Sequence, residues 1–316
     1  MPINSDKPQL WKQDIATSVD LFNRWFMDFA PLAFRETRIN TTESVRKAIK
    51  LTSDLRSITP KTLTLNPSVL PTLRISTSPP LARDRLVGLA YVNKNLVLSM
   101  EQGKIPQRMP KETLEADLKR MCRVIQRLLD QDIFPWITEK KSPSEAERLR
   151  ASTIVADRLC GAVADPIIRN AQEQRQLETI GQYLAKRGYG KKSPSHGAPL
   201  AEMEPGTFTF RLVVPVGSGR RVNIPIDVVI QPKRPRRSGL PILIEAKSAG
   251  DFTNTNKRRK EEAAKVHQLR QTYGDGIGLV LFLCGYFDSG YLGYEAAEGL
   301  DWIWEHRIDD LLQLGI

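Results

Sequence analysis

Apolar positions in the first half of the chain recur at helical spacing; in the second half helical runs alternate with short apolar runs bounded by Gly and Pro. Between Asp14 and Ala30, residues Ile15, Val19, Leu21, Phe22, Trp25, Phe26 and Phe29 predict an amphipathic helix. Thr42 to Ser53 predicts a second, with a Thr-Thr-Glu start that suits an N-cap. Residues 56–82 change character, with Pro60, Pro67, Pro71, Pro79 and Pro80 among Thr and Ser, and predict an irregular or extended connector. Pro110 to Leu129 and Ser142 to Leu159 predict two further helices, the latter opened by Ser142-Pro143-Ser144-Glu145. Residues 1–160 thus form a mainly helical region without internal repeats.

From residue 161 to residue 316 the pattern is alternately α and β. A helix from Pro166 to Arg187 ends at Gly188-Tyr189-Gly190, and a basic loop from Lys191 to Pro199 follows. Thr207 to Pro215 and Val222 to Ile230 predict a hairpin around Gly217-Ser218-Gly219. A third strand covers Leu240 to Ala246, a helix Lys257 to Tyr273, a fourth strand Ile277 to Cys284 and a last helix Glu295 to Leu312. That order predicts an α/β fold, a mixed sheet covered by helices on both faces.

Two of these strands carry charges where charge is costly. Ile224-Pro225-Ile226-Asp227-Val228-Val229-Ile230 is apolar on both sides of Asp227, as a central buried strand would be. Leu240-Pro241-Ile242-Leu243-Ile244 is likewise apolar on both faces until Glu245 and Lys247, which point the same way from one strand end. A buried carboxylate without a partner costs several kcal/mol, so these groups call for each other or for a metal. Asp227, Glu245 and the intervening Ala246 carbonyl are a hard oxygen set suited to Mg²⁺, with sites left for water and a phosphate oxygen. Lys247 could then orient a metal-bound water and stabilise developing charge, the requirements of phosphodiester hydrolysis. The bare spacing also fits a Glu–Lys pair on a solvated strand end. On the helix from Pro166, Glu173 lies one turn before the apolar stripe of Leu177, Ile180 and Leu184. It reads either as an accessory acid or as an N-terminal glutamate favoured by the helix dipole.

Charge sharpens this picture. Lys and Arg number 47 against 36 Asp and Glu, a net +11, and residues 231–270 hold 11 basic and 4 acidic residues. A concentrated basic region points to a polyanion as partner. Asn254, Asn256, Lys257, Arg258, Arg259 and Lys260 follow the Glu245–Lys247 strand, and four cations at a helix start oppose its macrodipole unless a phosphate lies there. The segment reads as a nucleic-acid contact or as a solvated basic turn. Arg236 and Arg237, with Lys233 and Arg234, form a second basic loop. No Walker A, GxGxxG or GxSxG sequence occurs, and His196, His267 and His306 are isolated, so nucleotide-binding loops and His-based triads are excluded. Cys122, Cys160 and Cys284 lack CxxC spacing and read as reduced thiols of a cytoplasmic protein. No apolar run reaches the roughly 20 residues of a membrane span, and the N-terminus does not read as a secretory signal.

Asp227 with Glu245-Ala246-Lys247, in this order of elements, resembles the PD-(D/E)XK nuclease superfamily, with Pro225 displaced by one position from the family's proline. Ser78 to Leu86, Arg169 to Leu177, Glu245 to Glu262 and Trp304 to Leu311 are similar to the XamI-type type II restriction endonucleases. The resemblance implies a restriction-endonuclease-like sheet over residues 161–316. It assigns DNA recognition or dimerisation to residues 1–160. It implies Mg²⁺-dependent cutting of double-stranded DNA by a homodimer, leaving 5′-phosphate and 3′-hydroxyl ends, with a companion DNA methyltransferase protecting host DNA. By the same resemblance Asp227 and Glu245 bind metal, Lys247 assists the attacking water and Glu173 is a fourth member. A structure-specific or repair nuclease, and a DNA-binding protein without catalysis, are the alternatives.

Overall fold

The computed structural model describes residues 2–194, 199–217, 222–234, 236–252 and 255–316, with the helix backbone alone over residues 255–259. The chain forms two compact units, residues 30–168 and residues 1–29 with 169–316. Helices α1 (Pro8–Leu51) and α8 (Glu145–Lys186) each contribute to both.

Helix α1 is one element of 44 residues where the apolar spacing predicts two. Thr37, Thr41 and Thr42 each turn the hydroxyl back onto the carbonyl four residues earlier, so Thr42 continues the helix instead of capping a new one. The proline-rich stretch 56–82 is not an open connector either. It holds α2 (Pro60–Leu65), a 3₁₀ turn (Pro67–Val69) and α3 (Leu70–Ile75). Pro60, Pro67 and Pro71 fall in first turns, where the missing N–H has no intrahelical partner to lose. Leu63, Leu70 and Leu73 from this stretch are fully buried. They pack with residues of α4 (Arg83–Ala90), α5 (Lys94–Glu101), α6 (Lys111–Leu128) and α7 (Pro135–Thr138). Ser144 and Glu147 form a reciprocal capping box at the start of α8. That helix then runs 42 residues through Pro166, joining the two helices expected on either side of it.

The other unit is a six-stranded mixed sheet in the order β1 (Gly190–Lys191), β2 (Thr207–Val216), β3 (Val222–Gln231), β4 (Ile242–Ala249), β5 (Gly278–Gly285) and β6 (Asp301–Trp304). Pairing is antiparallel from β2 to β4 and parallel from β4 to β6. Leu177, Ile180 and Leu184 of α8 pack on one face against Val228, Ile230, Ile244 and Phe282. On the other face α9 (Thr255–Tyr273) packs Leu269 against Ile226, Val229 and Leu243. Helix α10 (Ser289–Ala297) packs Tyr291 and Leu292 against Leu281, Trp302 and Trp304. The single helix expected over Glu295 to Leu312 is instead the end of α10, strand β6 and a 3₁₀ stretch, Glu305–Leu314. Trp302, Ile303 and Trp304 are buried on both faces, as an apolar run in a parallel strand requires.

Gly285 ends β5 at φ +99°, and a Cβ there would lie 2.2 Å from the Ala249 carbonyl oxygen of the adjacent strand. Gly285→Ala combines an unfavourable backbone region with a clash against main chain. We expect a loss of at least about 2 kcal/mol, read as a lower midpoint of thermal unfolding.

Candidate active site

The β3–β4 ladder runs from Ile230↔Ile242 to Val228↔Ile244 and stops there. One step further along the same register, Asp227 faces Glu245. The neighbouring strand breaks at the same level. Arg211 has φ +53°, and β2–β3 pairing skips from Phe210↔Val228 to Leu212↔Ile226. Ile226 consequently faces the same layer as Val229 rather than that of Val228. Asp227 thus sits where regular pairing is interrupted, and its Oδ2 accepts the Ala246 N–H at 2.9 Å.

Glu245 and Lys247, two residues apart on β4, share a face, and Lys247 Nζ donates to Glu245 Oε1 at 3.0 Å. The three residues singled out in the sequence therefore converge. Glu245 is only 6% exposed, and its Oε2 has no hydrogen-bond partner among the described residues. Burial and then the Glu245 charge push the Asp227 carboxyl up to about 6, while the Ala246 N–H bond and Lys247 pull the other way. Burial works against the Lys247 ammonium, but Glu245 and Glu262 outweigh it and hold that pKa above its usual value.

Helix α9 adds residues that strand patterning does not reveal. Lys265 Nζ donates to Glu245 Oε1 at 2.8 Å and to the Pro225 carbonyl at 3.2 Å. Glu262, 2% exposed, has an oxygen 3.8 Å from Lys247 Nζ, and the Tyr291 hydroxyl of α10 donates to its other oxygen at 2.7 Å. Glu262 precedes Val266 and Leu269 on the buried stripe of α9, a signal present in the sequence; nothing comparable marks Lys265 or Tyr291.

Glu173 lies to one side of this cluster. Its side chain is 41% exposed and pairs with Arg211 at 2.9 Å, though its charge contributes to raising Asp227. The inward positions of that turn belong to Gln172 and Gln176, and Gln176 Nε2 bonds the Lys247 and Phe282 carbonyls at 3.3 and 3.4 Å. Of the basic contacts expected, Arg236, Arg237 and Lys260 are exposed. Asn254 lies outside the described residues, as do the side chains of Asn256, Lys257, Arg258 and Arg259, which belong to the first turns of α9. His267 is exposed, and all three cysteines are buried and free.

Among the described residues no three His, Cys, Asp or Glu side chains gather as a metal-holding group. A cation here would rest on two carboxylates, with main-chain and water oxygens completing its shell. The pair fits that role: two like charges face each other, and one oxygen of Glu245 is buried with nothing to accept from among the described residues.

A mixed sheet whose interrupted central antiparallel ladder gathers two carboxylates and a lysine is a restriction-endonuclease-like fold. The sequence model of the XamI restriction endonuclease family matches residues 53–304, and the chain belongs to that family. It is 58% identical over 313 residues to the type II restriction enzyme SalI of Streptomyces albus G, with 99% of each chain covered. A solved structure, protein VC1899 from Vibrio cholerae, aligns at 13% identity and a TM-score of 0.29 over 90% of this chain and 56% of that one.

Proposed function

We propose that this member of the family cuts both strands of a short DNA sequence by Mg²⁺-dependent phosphodiester hydrolysis at Asp227, Glu245 and Lys247. The observation that carries the reading is their convergence where the β3–β4 ladder stops, with one Glu245 oxygen buried and unpartnered among the described residues. Asp227, Glu245 and the Ala246 carbonyl would hold the ion, which supplies a Lewis acid and a bound water of lowered pKa. Lys247 places its ammonium beside the carboxylate pair, where it orients the attacking water and offsets the charge that develops on phosphorus oxygens. The products are a 5′-phosphate and a 3′-hydroxyl. Glu173 acts on the site through its charge on Asp227.

Arg236 and Arg237 and the stretch Asn254, Asn256, Lys257, Arg258, Arg259 and Lys260 contact the DNA in this reading. The charge of +11 supports it, because phosphate neutralisation favours binding to a polyanion. Residues 1–160 serve recognition or dimerisation, the enzyme acts as a homodimer in the cytoplasm, and a DNA methyltransferase protects the host sequence. No helix among the described residues is long and apolar enough to cross a membrane.

Plasmid DNA incubated with the protein and Mg²⁺ is expected to yield discrete fragments whose sequenced ends share one site. Cleavage confined to branched or single-stranded DNA would instead assign the chain to structure-specific nucleases. Binding without cleavage would leave a DNA-binding protein.

A further inference from the structure

Lys247 is flanked by two carboxylates. Glu245 lies at 3.0 Å on its own strand and Glu262 at 3.8 Å from α9. Both site cations, Lys247 and Lys265, crowd onto the same oxygen of Glu245, its Oε1. The opposite oxygen is the one without a hydrogen-bond partner among the described residues. If Glu245 turns that carboxylate toward an ion, its hold on Lys247 weakens, and an ammonium on a flexible four-carbon stem drifts unless a second anion keeps it. Glu262 is built to be that anion. Its Oε2 is fixed by the Tyr291 hydroxyl, and its Oε1 is buried with no hydrogen-bond partner among the described residues and lies nearest the Lys247 ion pair at a distance longer than a hydrogen bond. A carboxylate 2% exposed is a costly group to retain for packing alone.

We infer that Glu262, held by Tyr291, is a positioning residue that keeps the Lys247 ammonium in place beside the Asp227–Glu245 pair during cleavage. The inference rests on the proposed role of Lys247 in assisting the attacking water.

Glu262→Gln tests it, since the amide keeps the size and an oxygen for Tyr291 while removing the charge. Under single-turnover conditions we expect the cleavage rate to fall about 10–100-fold, the range seen when groups behind a metal site are removed. DNA affinity without metal should change less than about threefold and the unfolding midpoint should not drop, which separates positioning from folding. With a divalent cation bound and no DNA present, the same substitution should lower the order parameter of Lys247 Nζ, read by NMR after ¹⁵N-lysine labelling. Tyr291→Phe should give a smaller loss in the same direction and serves as the readout if Glu262→Gln does not fold. A Glu262→Gln rate within about twofold of wild type, or an unchanged order parameter, overturns the inference while Lys247→Ala remains inactive. A fully active Lys247→Ala removes the underlying reading instead, so the two failures are told apart.

Discussion

Asp227→Asn and Lys247→Ala are each expected to lower the single-turnover rate of DNA cleavage by at least about 10³-fold, with the protein still folded and still binding DNA. The first loses a carboxylate oxygen that accepts the Ala246 N–H, the second the ammonium beside Glu245 to which the proposed mechanism gives the reacting phosphate. Asp227→Asn should also reveal the cost of the site to the fold. Burial and Glu245 raise the Asp227 pKa from its ordinary 3.8 to about 6, so the folded state holds this proton more tightly than the unfolded chain does. Ionisation therefore opposes folding: stability attributable to this group is intact below pH 4 and is lost as pH rises through 6. The gap corresponds to about 3 kcal/mol at pH 8. Without metal, Asp227→Asn should unfold at higher temperature than wild type at pH 8, and the difference should vanish near pH 4. Wild-type cleavage by either variant, or a less stable Asp227→Asn protein at pH 8, contradicts this account.

Arg175→Ala is expected to give the largest loss of stability, about 3–5 kcal/mol. On α8, Arg175 grips Glu305 with two nitrogens, Nη1 at 2.6 Å and Nη2 at 2.9 Å, and the Glu305 side chain is only 4% exposed. Burial raises the Glu305 pKa and Arg175 opposes that rise, so removing the guanidinium strands a carboxylate among Cys284 and Gln176. The unfolding midpoint should fall by roughly 10 °C. Replacing both members with apolar residues of similar volume, Arg175→Met with Glu305→Leu, should recover most of the loss, because the desolvated charges disappear together. A double-mutant cycle measures the coupling. A loss under about 1 kcal/mol for Arg175→Ala would mean that water reaches Glu305 freely.

Part of the site is legible in the sequence. Asp227, Glu245 and Lys247 were legible because each interrupts a run apolar on both faces, and a charge in that setting needs a partner wherever the strand goes. The stripe of Leu177, Ile180 and Leu184 was legible for the same reason. Glu173 shows the limit: its helical phase pointed inward, yet in the fold Gln172 and Gln176 take the buried positions and Glu173 turns to Arg211. Long helices were also hidden. Thr42 and Pro166 look like boundaries in the sequence, but a threonine that bonds back to its own helix does not end it, and α8 runs on through Pro166.

The sequence by itself determined the class of fold, the three residues of the candidate site and the basic stretch after them. These rest on local quantities, the period of apolar positions, the cost of burying a charge and the sign of neighbouring charges. Only the tertiary structure decided which inward-facing groups meet. The end of the β3–β4 ladder at Val228↔Ile244 sets Asp227 across from Glu245. The packing of α9 and α10 on the sheet brings Glu262 against Lys247, Lys265 against Glu245 and Tyr291 against Glu262, from 15 to 44 residues beyond Lys247. Periodicity says that a side chain faces inward; strand register and helix placement, which involve residues far apart in the chain, say what it faces.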